Sequence, residues 1–476
     1  MRKTKIVCTL GPVSRSENMV KELIKSGMNV ARLNFSHGDH EYHKETIDTV
    51  KKVREELSEP VAILLDTKGP EIRLGLFEKE KVILLDGGEF VLTSDDVLGN
   101  EKKASISYKK LPEEVKEGNT ILINDGNVRL SVLQVSGNDI RCKVVRGGEI
   151  SNRKGINVPR VHLDMPFLSE QDKKDLIFGI ENGVDFIAAS FVRCADDIIS
   201  MRKFVDFHGG HDIKIISKIE SVEGIENFKE ILRLSDGIMI ARGDMGAEVE
   251  FEMLPGIQKR FIKECYRAGK MVITATQMIE SMVNNPRPTR AEITDVANAV
   301  FDGTSAVMLS GETAVGKYPT DVVKVMAKIA KQAEKDAFEI DFYKGFDYDL
   351  DFGDTTNAIC DAACTTARDI KAAAIVALTK YGQTARSMSK FRPVVPIVAA
   401  TPIEKTYYQL SLSWGVYPVL AQYQKTSEEL LLHAADCAKL IDVANDGDRV
   451  VIAAGIPLDT SGSTNLIKVS VVGERK

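Results

Sequence analysis

The chain has 476 residues, with 63 lysines and arginines against 69 aspartates and glutamates, a formal charge of −6. That balance excludes a protein built to coat nucleic acid, and 43% hydrophobic with 28% charged residues excludes wholesale disorder. No apolar run approaches the roughly 20 residues that span a bilayer.

The opening Met1-Arg2-Lys3-Thr4 lacks a secretory core and leads into a first strand. Apolar runs over residues 5–11, 29–36 and 61–67 predict buried strands. Amphipathic helices are predicted between them over 16–26, with Met19, Val20, Leu23 and Ile24 on one face, and over 41–57. Residues 70–166 follow a different grammar. Short alternating stretches at 81–85, 89–93, 120–124, 128–135 and 140–145 are joined by turn sequences such as Asp86-Gly87-Gly88 and Asp125-Gly126-Asn127. They predict a small all-β domain over the barrel mouth, a hinged lid with Pro70 and Pro166 near the hinges. The strand–helix alternation then resumes, with strands predicted at 186–192, 213–220, 237–244, 270–277 and 306–312 and helices at 170–181, 228–234 and 289–300. Near-continuous apolar strands alternating with helices predict a closed (β/α)8 TIM barrel. Beyond the acidic stretch 347–354, strands predicted at 372–379, 397–401, 415–420, 449–455 and 468–472 make a separate open-sheet domain. The expected architecture is α/β: a barrel of residues 1–69 and 167–344, a β lid of 70–166 inserted after strand three, and a C-terminal α/β regulatory domain of 345–476. The seven scattered cysteines form no Cys-x-x-Cys pair and read as reduced thiols of a cytoplasmic protein.

In a barrel enzyme the chemistry sits at the C-terminal ends of the strands. Here those ends carry Arg32, Asn34 and Ser36, then Asp66, Thr67 and Lys68, then Lys218 and Glu220, Arg242 and Asp244, Thr274 and Thr276, and Ser310 and Glu312. Any one of these is explained as a polar strand exit; the set, with both charge signs expected on one face, points to a site. Glu220 and Asp244 are hard oxygen ligands without a partnering His or Cys, which suits Mg²⁺ or Mn²⁺. Lys218 precedes Glu220 by two residues and so shares its side of the strand, where an ammonium group stabilises developing anionic charge. Arg32 and Arg73 suit phosphate oxygens. Asn34, Ser36, Asp66 and Thr67 offer oxygens with one formal negative charge; they suit a monovalent cation, or they simply hydrogen-bond the strand ends.

Together with their neighbours these residues resemble the pyruvate kinases over essentially the whole chain. The resemblance rests on Arg32-Leu33-Asn34-Phe35-Ser36-His37-Gly38, Asp66-Thr67-Lys68-Gly69-Pro70-Glu71-Ile72-Arg73, Ser217-Lys218-Ile219-Glu220, Ala241-Arg242-Gly243-Asp244-Met245-Gly246, Ala275-Thr276-Gln277-Met278, Asn285-Pro286-Arg287-Pro288-Thr289-Arg290-Ala291-Glu292 and Met308-Leu309-Ser310-Gly311-Glu312, in the family's order. It implies phosphoryl transfer from phosphoenolpyruvate to ADP, through an enolate, in a cytoplasmic homotetramer. By position it implies that Glu220 and Asp244 hold Mg²⁺ and that Lys218 stabilises the phosphoryl group and the enolate. Arg32, the backbone of Gly243 and Asp244, and Thr276 match the phosphoenolpyruvate contacts, with Thr276 contributing to a water-linked proton relay. Asn34, Ser36, Asp66 and Thr67 match the K⁺ site. Arg73, His37 and Lys154, beside Asn34 and Ser36, match positions near the nucleotide phosphates. Glu71 matches a position associated with K⁺ dependence.

In the C-terminal region, Thr379-Lys380-Tyr381-Gly382-Gln383-Thr384 forms a strand-to-helix turn, where backbone N–H groups favour an anion. The similar loop in effector-regulated pyruvate kinases binds a sugar phosphate, helped by a late loop like Ser461-Gly462-Ser463-Thr464-Asn465. Tyr381 departs from the small hydroxyl residue usual there, and a plain helix cap is the alternative. Two rival functions are a Mg²⁺-enolate barrel lyase of the aldolase type and a non-catalytic sugar-phosphate sensor. Three signals are decoys. Gly311–Lys317 approaches a P-loop but ends in Tyr318-Pro319, His37, His40 and His43 lack a fixed acidic or thiol partner, and Asp351-Phe352-Gly353 stands without a protein kinase's other motifs.

Overall fold

Runs such as Lys5-Ile6-Val7-Cys8-Thr9 are buried at every position, and Ala62–Asp66, Phe186–Ala189 and Met271–Ala275 repeat the pattern. Continuous burial requires cover on both faces, which a parallel sheet inside a ring of helices provides. The computed structural model describes residues 1–345, 354–424, 426–457 and 464–474. In it, Lys5–Thr9, Val30–Asn34, Ala62–Asp66, Phe186–Ala189, Lys214–Ile219, Gly237–Ala241, Met271–Ala275 and Ala306–Leu309 close into an all-parallel barrel. Pairing of Lys5 with Ala306 completes the ring. Val7, Leu64, Phe186, Met239 and Ile273 fill the interior as one cluster, which Tyr408 and Leu412 of the C-terminal domain also join.

The predicted helices form with small shifts, as Glu17–Ser26, His40–Leu57, Glu170–Glu181, Phe228–Leu234 and Arg290–Phe301. Glu170–Glu181 starts with a capping box, in which the Ser169 hydroxyl accepts from the Asp172 N–H and the Asp172 carboxylate accepts from the Ser169 N–H. The same Asp172 accepts from the N–H of Gly69, where the chain leaves the barrel for the lid.

The inserted region is a seven-stranded sheet and a two-stranded ribbon around its own core, which includes Phe90, Leu92, Ile121, Leu130 and Val144. Strands Ile72–Arg73, Lys103–Ser105, Gly148–Ser151 and Gly155–Asn157 were not legible in the sequence, being too short to show an alternation, and Leu111–Glu114 adds one helical turn to an otherwise β unit. The C-terminal strands Ala374–Leu378, Ile397–Thr401, Val416–Leu420, Arg449–Ala454 and Leu466–Val471 form one open sheet. The last of them runs antiparallel to Arg449–Ala454, because the connection between them is too short for a parallel crossover. Asp351-Phe352-Gly353 and Ser461, Gly462 and Ser463 lie outside the described residues. Among the described residues no helix is long and apolar enough to cross a membrane.

Candidate active site

Three strand exits meet at the C-terminal mouth. Arg32, in the strand Val30–Asn34, donates from Nε to Asp66 Oδ2 at 2.6 Å and from Nη1 to Thr9 Oγ1 at 2.8 Å. Lys218, two residues before Glu220, places Nζ 3.0 Å from Asp66 Oδ1 and 3.0 Å from Glu220 Oε1. Strand periodicity therefore puts both groups on one face, as predicted. Ser190 accepts from the same Nζ at 2.7 Å and donates to the Thr67 carbonyl at 2.6 Å. The second Glu220 oxygen accepts from the Phe191 N–H at 2.6 Å.

Burial and charge act in opposition on this cluster. Burial by itself would pull the Lys218 amine down, yet the Asp66 and Glu220 carboxylates outweigh it and hold the ammonium protonated. Glu220, 1% exposed, is pushed up to about 8 by burial, with the Asp244 charge adding to the effect against Lys218. Only when Glu220 is ionised do the three carboxylates Asp66, Glu220 and Asp244 outnumber Arg32 and Lys218 at the mouth, and a bound cation would favour that ionised form. A buried carboxylate short of positive charge, beside a second carboxylate, is a donor set that fits a divalent cation.

Asp244 corrects one expectation. Its strand stops at Ala241, and Arg242–Glu248 is helical, so Asp244 reaches the site from the first turn of a helix. Gly243, on the same turn, donates its N–H to Thr276 Oγ1 at 2.8 Å. Other members of the set do not join the cluster. Thr274 is fully buried against Thr304, and Glu312 turns back to accept from the Ser310 and Ile279 N–H groups. Asp66, counted as the single charge of a monovalent-cation site, is already balanced by Arg32 and Lys218. Asn34 Oδ1 accepts from the Ser36 N–H, and Thr67 Oγ1 donates to the Ala188 carbonyl at 3.3 Å while accepting from the Ser190 N–H.

Between lid and barrel lies a cleft of about 800 Å³, lined by Arg73, Arg153, Lys154, Arg160, His162 and Asp244 among others. That volume accommodates a nucleotide-sized ligand. Arg73 pairs with Glu71 at 2.7 Å and donates to the Arg153 carbonyl at 2.9 Å, so its guanidinium lies at the lid's edge. His37 is exposed, is not among the residues that line the cleft, and offers its carbonyl to His43 Nε2. His43 stacks on Phe35, and His40 pairs with Asp175 at 2.7 Å, so neither is free for a zinc ion. The near P-loop becomes the short helix Gly311–Ala314 followed by the Tyr318 cap of Pro319–Glu339. In the C-terminal domain Gly382 caps Gln383–Lys390 at φ +84, and Thr384 Oγ1 lies 2.9 Å from Thr464 Oγ1. Thr379 and Tyr381 flank that turn.

Ser190, Phe191 and Glu248 were missed by sequence reasoning. Ser190 directly follows the strand Phe186–Ala189 and was findable by the strand-exit rule; the Phe191 contribution is a backbone N–H and carries no sequence signal. Glu248 accepts from lid Asn157 at 3.1 Å and from the Val222 N–H at 3.0 Å.

A barrel whose mouth gathers an ammonium, a guanidinium and buried carboxylates, under a cleft lined by side chains of both charge signs, is built to handle a small charged ligand. Family models agree. The model described as pyruvate kinase, barrel domain, matches residues 1–323, and pyruvate kinase, alpha/beta domain, matches residues 357–470. Pyruvate kinase of Clostridium acetobutylicum is 48% identical over 473 residues, covering 99% of this chain and 100% of that one. Pyruvate kinase of Clostridium perfringens is 47% identical over 477 residues with the same coverage. Pyruvate kinase of Staphylococcus saprophyticus is 48% identical over 483 residues, covering 100% of this chain and 81% of that one. The chain belongs to the pyruvate kinase family. Nothing in these relatives supports an aldolase-type lyase or a non-catalytic sensor.

Proposed function

We propose that the chain transfers the phosphoryl group of phosphoenolpyruvate to ADP, giving pyruvate and ATP, with the Lys218–Glu220–Asp66 cluster as its centre. The observation that carries this reading is a protonated lysine at 3.0 Å from two buried carboxylates, beneath a cleft lined by Arg73 and Lys154. Phosphoryl transfer needs positioning and charge neutralisation more than covalent help. Arg32 binds the substrate phosphate, and Lys218 stabilises the charge passing from phosphoryl to enolate oxygen. The backbone of Gly243 and Asp244 positions the substrate, and Thr276 takes part in delivering a proton to the enolate carbon. Arg73, His37, Lys154, Asn34 and Ser36 serve the nucleotide phosphates.

Glu220 and Asp244 would hold Mg²⁺ or Mn²⁺, which when bound supplies charge neutralisation at the substrate oxygens. Among the described residues no group of three or more His, Cys, Asp or Glu side chains is placed to hold a metal. Two carboxylates, with substrate and water completing the shell, is the mode Mg²⁺ favours. Asn34, Ser36, Asp66 and Thr67, all oxygen donors, would hold K⁺. The turn at Thr379, Tyr381, Gly382, Gln383 and Thr384, with Ser461, Gly462 and Ser463, is the proposed sugar-phosphate site, and the assembly is proposed to be a cytoplasmic homotetramer.

The test is ATP formation from phosphoenolpyruvate and ADP with Mg²⁺, in the presence and absence of K⁺. Activity is expected to depend on both ions. Near-full activity in a monovalent-free buffer would remove the K⁺ assignment, and absence of ATP with every ion present would remove the reading itself. In parallel, Thr384→Glu is expected to abolish any response to sugar phosphates.

A further inference from the structure

Thr276 sits at φ +66 and Gln277 at φ +52, two consecutive residues with side chains in the left-handed region. For a β-branched threonine that conformation is a genuine outlier, and such strain persists only where the surroundings impose it. The imposing group is Arg242. Its Nη2 donates to the Thr276 carbonyl at 2.7 Å and to the Gln277 carbonyl at 3.0 Å, and its Nε donates to the Thr276 carbonyl at 3.2 Å. Asp295, on the helix Arg290–Phe301, grips the opposite edge of the guanidinium with Nη1 at 2.8 Å and Nη2 at 2.8 Å. Gln258 Oε1 accepts from Nη1 at 3.3 Å. The guanidinium is thus a buried plate with its donors directed to two strained carbonyls on one side and a counter-ion on the other. The next residue, Gly243, holds Thr276 Oγ1 through its N–H at 2.8 Å.

We infer that Arg242 is a positioning residue for enolate protonation: it locks the Thr276–Gln277 turn in its left-handed form and so fixes the Thr276 hydroxyl, which donates to the Ala275 carbonyl at 2.6 Å in this state, at the barrel mouth. The inference rests on the role proposed for Thr276 above. Lysine cannot replace the clamp, because a single ammonium cannot span both carbonyls while keeping a bidentate carboxylate pair.

The experiment follows two readouts: ATP formation, and exchange of pyruvate methyl protons with D₂O by NMR on the Mg²⁺- and K⁺-loaded enzyme. Arg242→Lys is expected to lower exchange by about 10²-fold, the order that a small misplacement of a reacting group costs, with a KM for phosphoenolpyruvate close to wild type. Adding Gln277→Gly, which accepts φ > 0 without strain, is expected to recover at least part of the exchange rate. A merely structural arginine would not be rescued in this way. Should Arg242→Lys fold poorly, Asp295→Asn leaves Arg242 in place with a weaker grip, and a smaller loss of exchange is expected. Wild-type exchange in either single variant, or no recovery with Gln277→Gly, overturns the clamp. Thr276→Val separates the two claims: if it keeps exchange, the proton role of Thr276 falls and the clamp with it, whereas lost exchange in Thr276→Val beside intact exchange in Arg242→Lys removes the clamp alone.

Discussion

Lys218 shares its ammonium between Asp66 and Glu220 and receives a third contact from Ser190. Replacing it by methionine removes the one positive charge that both carboxylates share, and a preorganised donor of this kind is worth about 10²–10³ in kcat. Lys218→Met is therefore expected to lower ATP formation by about that factor while sparing proton exchange on bound pyruvate; equal loss of both steps would mean that lysine also handles the proton. Ser190→Ala is expected to be milder. Ser190 is one of three contacts to the Lys218 ammonium, and a loss of about 1.4 kcal/mol of positioning at the transition state is roughly a tenfold drop in kcat, with an unchanged melting temperature separating misaligned lysine from lost fold. Neither contact of Ser190 is visible from residue type alone, whereas the Lys218–Glu220 pairing is, because spacing along a strand dictates the face.

Where the barrel hands over to the lid, geometry belongs to the element and not to any one side chain. Gly69 turns at φ +73, and a Cβ built there would lie 2.8 Å from Ser190 Cβ and 3.1 Å from the Ser190 carbonyl oxygen. The Gly69 N–H is held by Asp172, whose carboxylate also completes the capping box of Glu170–Glu181. One acidic side chain thereby ties the exit toward the lid to the first helix after it. Gly69→Ala is expected to impose left-handed strain of about 1–2 kcal/mol and to push Ser190 away from Lys218. A fall in both melting temperature and kcat is predicted; a fall in melting temperature with intact kcat would mean that Ser190 does not transmit the displacement. The lid's longer strands were legible from their alternation and turn dipeptides. The short strands Ile72–Arg73, Lys103–Ser105, Gly148–Ser151 and Gly155–Asn157 were not, because so few residues show too little of a period.

Across the whole molecule, the barrel floor and the C-terminal domain are joined by buried lysines. Lys3 donates to the Pro393 and Val395 carbonyls, and Lys5 donates to the Val416 carbonyl while its amine lies 4.5 Å from the Tyr417 ring centre. Glu334 accepts from the Lys3 and Thr4 N–H groups. Burial pushes Lys5 down to about 7, with Arg2 and Lys3 adding to the effect and Glu334 opposing it, and pushes Lys3 down to about 8 against the pull of Glu334. A native-state value below the ordinary 10.5 means that the unfolded chain binds more protons between about 7 and 10.5. Stability is thus expected to rise with pH through that window, by at most about 1.4 kcal/mol per unit for one such group. Thermal melts from pH 7 to 9.5 should show a steeper rise for wild type than for Lys5→Met; parallel curves would mean that Lys5 stays charged in the folded protein.

Barrel, lid and C-terminal sheet could be read from the chain because periodicity is local: an apolar run bounded by polar residues specifies a strand wherever it ends up. The same locality put Lys218 beside Glu220 and marked Arg32, Asp66 and Thr276 as strand exits. Only the closed ring decided that Asp66 faces Arg32 and Lys218 together, that Asp244 arrives on a helix, and that Glu312 and Thr274 turn away. Tertiary structure alone supplied the contacts of Ser190 with Lys218 and Thr67, the Phe191 N–H and the Arg242 clamp on Thr276. These are contacts across residues far apart in sequence, and each is set by which strands close the barrel side by side, a property that no window of neighbouring residues contains.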